Sequence, residues 1–332
     1  MTPNDLQQGL FKTIKNRIGE NPLAEEIAGI LGISTDSAYR RLRGEKMITL
    51  EELQALCTHY QLSLDQLMNI HPTGITFQGQ YLDKHNFRFE EYLGSMLQNM
   101  NFINSHKEKT LYYLCKDLPI FHQYHIRDIA AFKWFIYLKT YFQFPGFEKK
   151  KFRFSDHPDE LFAIEEKILG LYNLIPSVEI WNLENMNMFF RQIEFYRDSG
   201  VFESDSDVYR LYEAMEKLWQ HLEKQASLGY KFKYLDPTQK PISEYKMYFN
   251  EVLLGDNNIL VILDGVRVAY VSHTTINFML TRDKGFTDNF YQHIQTQMKR
   301  STLISEVSEK ERNRFFRIIR DKIVSRKQAL AV

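Results

Sequence analysis

The chain has 332 residues, 44% hydrophobic and 25% charged, the composition of a folded globular protein rather than a disordered one. Its 42 basic residues are balanced by 42 acidic ones, which excludes a polyelectrolyte that coats nucleic acid by charge alone. The opening MTPNDLQQGL lacks a secretory pattern, no apolar run reaches the roughly 18 residues of a membrane span, and Cys57 and Cys115 stand far apart. The expectation is a cytoplasmic protein with reduced thiols and no membrane partner.

Residues 4–18 predict an amphipathic helix with Leu6, Leu10, Ile14 and Ile18 one turn apart. Lys12, Lys15 and Arg17 on it have two readings, phosphate contacts or a solvated face. Asn21 as cap and Pro22 at the first helical position open a second helix, whose Leu23, Ile27, Ile30 and Leu31 share a face. Gly32 ends it. Ser34 caps a third helix, residues 35–43, which carries Tyr39, Arg40, Arg41 and Arg43 and stops at Gly44. Thr49 with Glu52, and Ser63 with Gln66, have the spacing of capping boxes that start two more helices.

Ile27-Ala28, Gly32-Ile33-Ser34, Arg43-Gly44, Thr49-Leu50-Glu51-Glu52-Leu53 and Leu62-Ser63-Leu64-Asp65-Gln66-Leu67 occur in the order found in phage-repressor helix-turn-helix domains. Over residues 21–68 the chain resembles that XRE-type family. It departs at Leu42, where the family usually has Glu, and at Ala24, where many members place a phosphate-reaching Gln. The resemblance implies a recognition helix at 35–43 lying in the major groove of double-stranded DNA. Base edges would then be read from Thr35, Asp36, Ser37 and Arg40, with Arg40 bidentate on guanine O6 and N7. Asp36 would accept from cytosine N4 or position Arg40. Tyr39, Arg41, Arg43 and Lys46 would contact the DNA backbone. One such domain buries little surface, so the resemblance implies a homodimer on a near-palindromic operator. Residues 1–71 hold seven Lys or Arg against nine Asp or Glu, so non-specific affinity should be modest.

The break at 71–74 divides the sequence into a helix-turn-helix domain, 1–70, and a larger domain, 75–332. In the latter, 85–104 predicts a helix and 110–115 a strand. Between 130 and 154, Phe132, Trp134, Phe135, Tyr137, Tyr141, Phe142 and Phe144 surround a helix that Pro145-Gly146 ends. A helix apolar on every side predicts core or a dimer interface, with a ligand-pocket wall as the alternative. Membrane-surface binding, suggested by Lys149 to Lys151, lacks the charged face it needs. Residues 159–172, 178–199 and 205–228 read as three helices of a small bundle. Residues 230–234 alternate as a strand does, and 259–263, Asp264-Gly265 and 266–271 form a hairpin. A final helix, 309–325, turns Phe315, Phe316, Ile319 and Ile323 inward. Its outer Arg312, Arg314, Arg317, Arg320 and Lys322 interleave with acids and read as a solvated face rather than a second nucleic-acid contact. The expected architecture is an all-α helix-turn-helix domain followed by a mainly helical α+β domain with a small antiparallel sheet.

No phosphate loop, dinucleotide fingerprint or nucleophile elbow occurs. His122, His125 and Asp128, three residues apart, are the one metal-like spacing, and they read more simply as ordinary polar residues. No catalytic residue, metal or cofactor is assigned. The functional expectation is a transcriptional regulator, not an enzyme, whose second domain dimerises and senses an unknown small molecule or partner. Its rivals are an enzyme bearing a DNA module and a protein-interaction scaffold.

Overall fold

Helical spacing of apolar residues builds the first part of the chain. In α1 (Pro3–Ile18) Leu10, Phe11 and Ile14 are buried, and they meet Ile27 and Ala28 of α2 (Leu23–Leu31), Ala38 of α3 (Thr35–Leu42) and Leu56 of α4 (Leu50–His59). The computed structural model describes residues 2–18, 22–60, 62, 64, 74–79, 87–252, 257–274 and 276–330, the side chains of 16–18 excepted. The chain divides into two compact units, Met1–Ile75 and Thr76–Val332.

Local chemistry sets the ends of these helices. Gly32, with φ of 64°, closes α2 in the left-handed region that a side chain would strain. Ser34 then caps α3, its Oγ accepting from the Ser37 N–H at 3.3 Å. Thr49 and Glu52 form the expected capping box at α4. Thr49→Ala should therefore cost the first unit about 1 kcal/mol in urea denaturation. Pro22 occupies the cap position of α2, one residue earlier in the helix frame than expected; Asn21 lies outside the described residues, as does the Ser63–Gln66 box.

The second unit is larger and its sheet differs from the expectation. Among the described residues eight strands form it: β1 (Lys109–Leu114), β2 (Ser177–Trp181), β3 (Tyr230–Lys231), β4 (Ser243–Phe249), β5 (Asn258–Leu263), β6 (Val266–Ser272), β7 (Phe278–Thr281) and β8 (Thr302–Leu303). They run in the order β3-β4-β2-β1-β5-β6-β7, with β8 also on β4. The β1, β2 and β4 core is parallel and the remainder antiparallel. The predicted hairpin is present as β5 and β6, turning at Asp264 and Gly265 with φ of 46° and 86°. It belongs to this mixed sheet rather than to a small antiparallel one.

Helices α5 (Phe89–Asn104), α6 (Ile120–Gln123), α7 (Arg127–Ile136), α8 (Asp159–Asn173), α9 (Glu184–Asp198), α10 (Asp205–Leu228) and α12 (Glu309–Leu330) cover one face of the sheet. Among the described residues α11 (Lys284–Lys299) alone packs on the other, where Ile294 meets Leu114, Ile180, Leu260 and Ala269. The expected helix at 178–199 is a strand followed by α9, and the expected bundle is a layer of crossover helices. The reason is burial: every residue of β2 is buried, and a strand covered on both faces carries no alternation to tell it from a helix. The aromatic stretch is core, with Ile129 to Leu138 all buried through α7 and into the π-helical turn Tyr137–Tyr141. Tyr137 also lines, with Tyr113, Asp117, Gln123 and Asn257, a pocket of about 20 Å³, room for a single water.

The basic face of α12 is solvated at Arg314 and Arg317, which are exposed, and docked elsewhere. Arg320 pairs with Glu223, Lys322 donates to Asn187 Oδ1 at 2.8 Å, Arg326 reaches Glu194 at 2.7 Å and Lys327 reaches Glu216 at 2.9 Å. Arg312 is buried on the Ile304 and Val307 carbonyls. These side chains fasten α12 to α9 and α10 around its buried Phe315, Phe316, Ile319 and Ile323.

Candidate nucleic-acid interface

The outer surface of α3 follows from which of its residues face α1, α2 and α4. Ala38 is fully buried and Arg41, one turn later on the same side, is 3% exposed. Thr35, Asp36, Tyr39 and Arg40 are exposed on the other side, and Ser37 is half-buried between them. Arg43, Glu45, Lys46 and Met47 continue this exposed surface beyond the helix, and Leu50 is exposed at the start of α4. Six of the eight residues assigned from sequence are exposed here, Ser37 is half-buried with its Oγ accepting from Arg41 Nη1, and the eighth is Arg41.

Arg41 was expected on the DNA backbone and instead lies inside the unit. Its Nε and Nη2 fork onto both carboxylate oxygens of Glu52, and its Nη1 donates to the Ser37 carbonyl at 3.1 Å and Ser37 Oγ at 2.7 Å. Four of its five N–H groups are thus bonded within the unit, and the side chain is buried away from the exposed face. The Arg41 hydrogen bond holds the Glu52 carboxyl below the usual carboxylate range, against the opposing effect of burial.

The loop after α3 is pinned by Gln7, which is 2% exposed. Its Nε2 donates to the Arg41 and Lys46 carbonyls at 2.7 and 2.9 Å, while its Oε1 accepts from the Ile48 N–H at 2.9 Å. Gly44 makes the turn with φ of 77°. That loop carries Glu45, whose carboxylate is forked by Arg43 Nε and Nη2 at 2.7 and 3.2 Å and lies 3.9 Å from Arg40 Nε. Lys12 and Lys15 are exposed on α1; the side chain of Arg17 lies outside the described residues.

Residues 10–78 match the family model of the BetR domain. The match gives the N-terminal region a regulator-type domain, in coarse agreement with a role in transcription regulation. No curated protein and no solved structure matches the chain. No helix among the described residues is long and apolar enough to cross a membrane.

In the second unit the His122, His125 and Asp128 spacing does not converge. Asp128 pairs with Arg210 at the surface, and both ring nitrogens of His125 lack a hydrogen-bond partner among the described residues. No group of three His, Cys, Asp or Glu is placed to hold a metal there. His122 instead faces Glu179, at the centre of β2, with Nε2 at 3.0 and 2.9 Å from the two carboxylate oxygens. Tyr172 also donates to Glu179, as do Trp181 Nε1 at 2.7 Å and Tyr245 at 2.8 Å. Burial works to raise the Glu179 pKa, but His122, Tyr172 and Lys231 outweigh it and hold it at about 2.

Beside this carboxylate, Lys231 is fully buried. Its Nζ donates to the Tyr172 and Ile175 carbonyls at 3.1 and 2.8 Å and sits 3.5 Å from the centre of the Tyr172 ring. Burial lowers its pKa to about 7 despite Glu179. Burial likewise lowers His221 to about 4 and His125 well below the usual histidine value. Sequence reasoning passed over Glu179 and Lys231. The available signal was a charged residue inside the apolar stretch Ser-Val-Glu-Ile-Trp, since a carboxylate enters a core only with donors arranged around it.

Proposed function

We propose that the first unit binds duplex DNA and that the chain is a sequence-specific transcriptional regulator of the phage-repressor, XRE-type kind. The observation that carries this reading is the α2–turn–α3 pair, with glycine at the turn, a serine cap, and Thr35, Asp36, Tyr39 and Arg40 on the outer face. In this reading α3 enters the major groove. Arg40 reads guanine, Thr35, Asp36 and Ser37 meet neighbouring base edges, and Tyr39, Arg43 and Lys46 take phosphates. Arg41 supports them from inside, holding α3 against α4. The second unit dimerises the chain, setting two α3 helices on half-sites about one helical turn (~34 Å) apart, and responds to a small-molecule effector.

Selection of duplexes from a random pool by the full chain tests this, with wild type and Arg40→Ala run in parallel at fixed salt. The expected result is an inverted repeat with one-turn spacing. Arg40→Ala should lose discrimination at one base position, by about 1–3 kcal/mol. A folded wild type that enriches no duplex overturns the reading.

One observation favours a second reading, a protein-interaction module. Tyr39, Met47 and Leu50 are 50, 44 and 82% exposed, an apolar set on the surface that would otherwise meet phosphates. Failure of the duplex selection transfers the weight to it.

A further inference from the structure

Three cations and three carboxylates share the outer surface of α3, its loop and the start of α4: Arg40, Arg43 and Lys46 against Asp36, Glu45 and Glu51. The remaining arginine, Arg41, is spent on Glu52 inside the unit. A surface for a polyanion is thus electroneutral, and the acid that makes it so is not placed by chance. Glu45 follows the left-handed Gly44, its N–H bonds the Arg40 carbonyl at 2.9 Å, and Gln7 holds the loop backbone on both sides of it. The backbone therefore keeps one carboxylate beside two guanidinium groups, forked by Arg43 and close to Arg40.

We infer that Glu45 is a specificity-determining residue that occupies Arg43 and Arg40 in place of DNA phosphate until a matching site supplies enough other contacts to displace it. This rests on the DNA-binding reading above. A phosphate oxygen and the Glu45 carboxylate ask for the same N–H groups in the same forked geometry. On an arbitrary duplex, where phosphates are all the protein can contact, the internal acid competes successfully and its own charge faces the backbone. On the matching sequence, base contacts hold α3 in place and the exchange of carboxylate for phosphate becomes intramolecular. Discrimination arises from weakening the wrong complex as well as from strengthening the right one.

The experiment compares the full chain with Glu45→Gln, Arg43→Gln and the double variant on a selected and an arbitrary duplex, across a salt series. On the arbitrary duplex, releasing one to two arginines for phosphate should steepen the slope of log K against log salt by about 1–2. Affinity for the arbitrary duplex should rise about tenfold at ~0.1 M salt, from one added phosphate contact. Affinity for the selected duplex should rise less, so the ratio between the two falls. Introduced into Arg43→Gln, the Glu45 change should lose most of its effect, since the partner it occupied is gone. An unchanged slope in Glu45→Gln overturns the inference while leaving DNA binding intact. So does an equal gain with and without Arg43, which would reduce Glu45 to a simple repulsive charge. If neither wild type nor Glu45→Gln binds any duplex while folded, the DNA-binding reading falls and this inference falls with it.

Discussion

Replacing Glu179 by alanine should destabilise the second unit by about 3–5 kcal/mol, the range for breaking a buried charge pair from one side. The carboxylate is fully buried and collects donors from four residues on four elements: Trp181 on β2 itself, Tyr245 on β4, Tyr172 on α8 and His122 on α6. Without it those donors face one another across a cavity, and the nearby Lys231 loses its counter-charge. Glu179→Gln should be nearly as damaging. An amide has one acceptor oxygen and brings an N–H₂ group towards donors that need an acceptor. Urea denaturation followed by tryptophan fluorescence measures this, because Trp181 bonds Glu179 directly and Trp219 packs 6.1 Å from Trp181. A loss under about 1 kcal/mol, the worth of an ordinary hydrogen bond, would show that Glu179 does not organise the core.

The same cluster predicts an unusual dependence of stability on pH. Lys231 titrates at about 7 in the folded chain against 10.5 when free, so between these values the unfolded chain binds more protons and stability rises with pH. His221, at about 4 against 6.5, acts with the same sign in its own window, and His125 adds to it. Glu179, at about 2 against 4.5, again favours the folded form as pH rises through that interval. The tyrosines Tyr172 and Tyr245, raised by burial, reverse the sign above their usual value of 10.0. Glu165, raised above 4.5 by burial, opposes the rise in its own window, and Cys115, raised well above 9.0 by burial, joins the tyrosines. With the lowered groups in the majority below 9.0, stability of the second unit should rise from acid through pH 7 and peak on the alkaline side. Each group sets a maximum slope of about 1.4 kcal/mol per pH unit. Lys231→Met should flatten the interval above pH 7, and His221→Gln the one below 6.5. A wild-type maximum near pH 6 would contradict the charge states assigned to this core.

The first unit was legible from sequence because its signals are local. Gly32, Ser34, Thr49 and Glu52 announce helix ends through bonds to residues two to four positions away. Arg41 was misplaced because its fate depends on a residue eleven positions on, Glu52, and on its sharing a helix side with Ala38. In the second unit α5, α8, α10 and α12 were legible by their apolar stripes and the β5–β6 hairpin by its turn. The strand β2 was not, since its identity comes from β1 and β4 on its two sides. For the proposed interface, sequence named the surface residues, while the pairing of Arg43 and Arg40 with Glu45 depends on how the loop folds back.

The strand order bears on how the chain acquires its structure. β1 lies between β2 and β5, whose residues follow it by tens to more than a hundred positions, and α12 packs against α10 across a comparable separation. Contacts so distant along the chain require large loops to close before any burial rewards them, which places such topologies among slow folders. During synthesis the first unit has all its helices long before β5 emerges. A half-made second unit meanwhile exposes Trp219 on α10 until Phe315 and Phe316 of α12 are made to cover it. Production of the protein should therefore be limited by chaperone capacity and temperature rather than by the thermodynamic stability of the finished molecule.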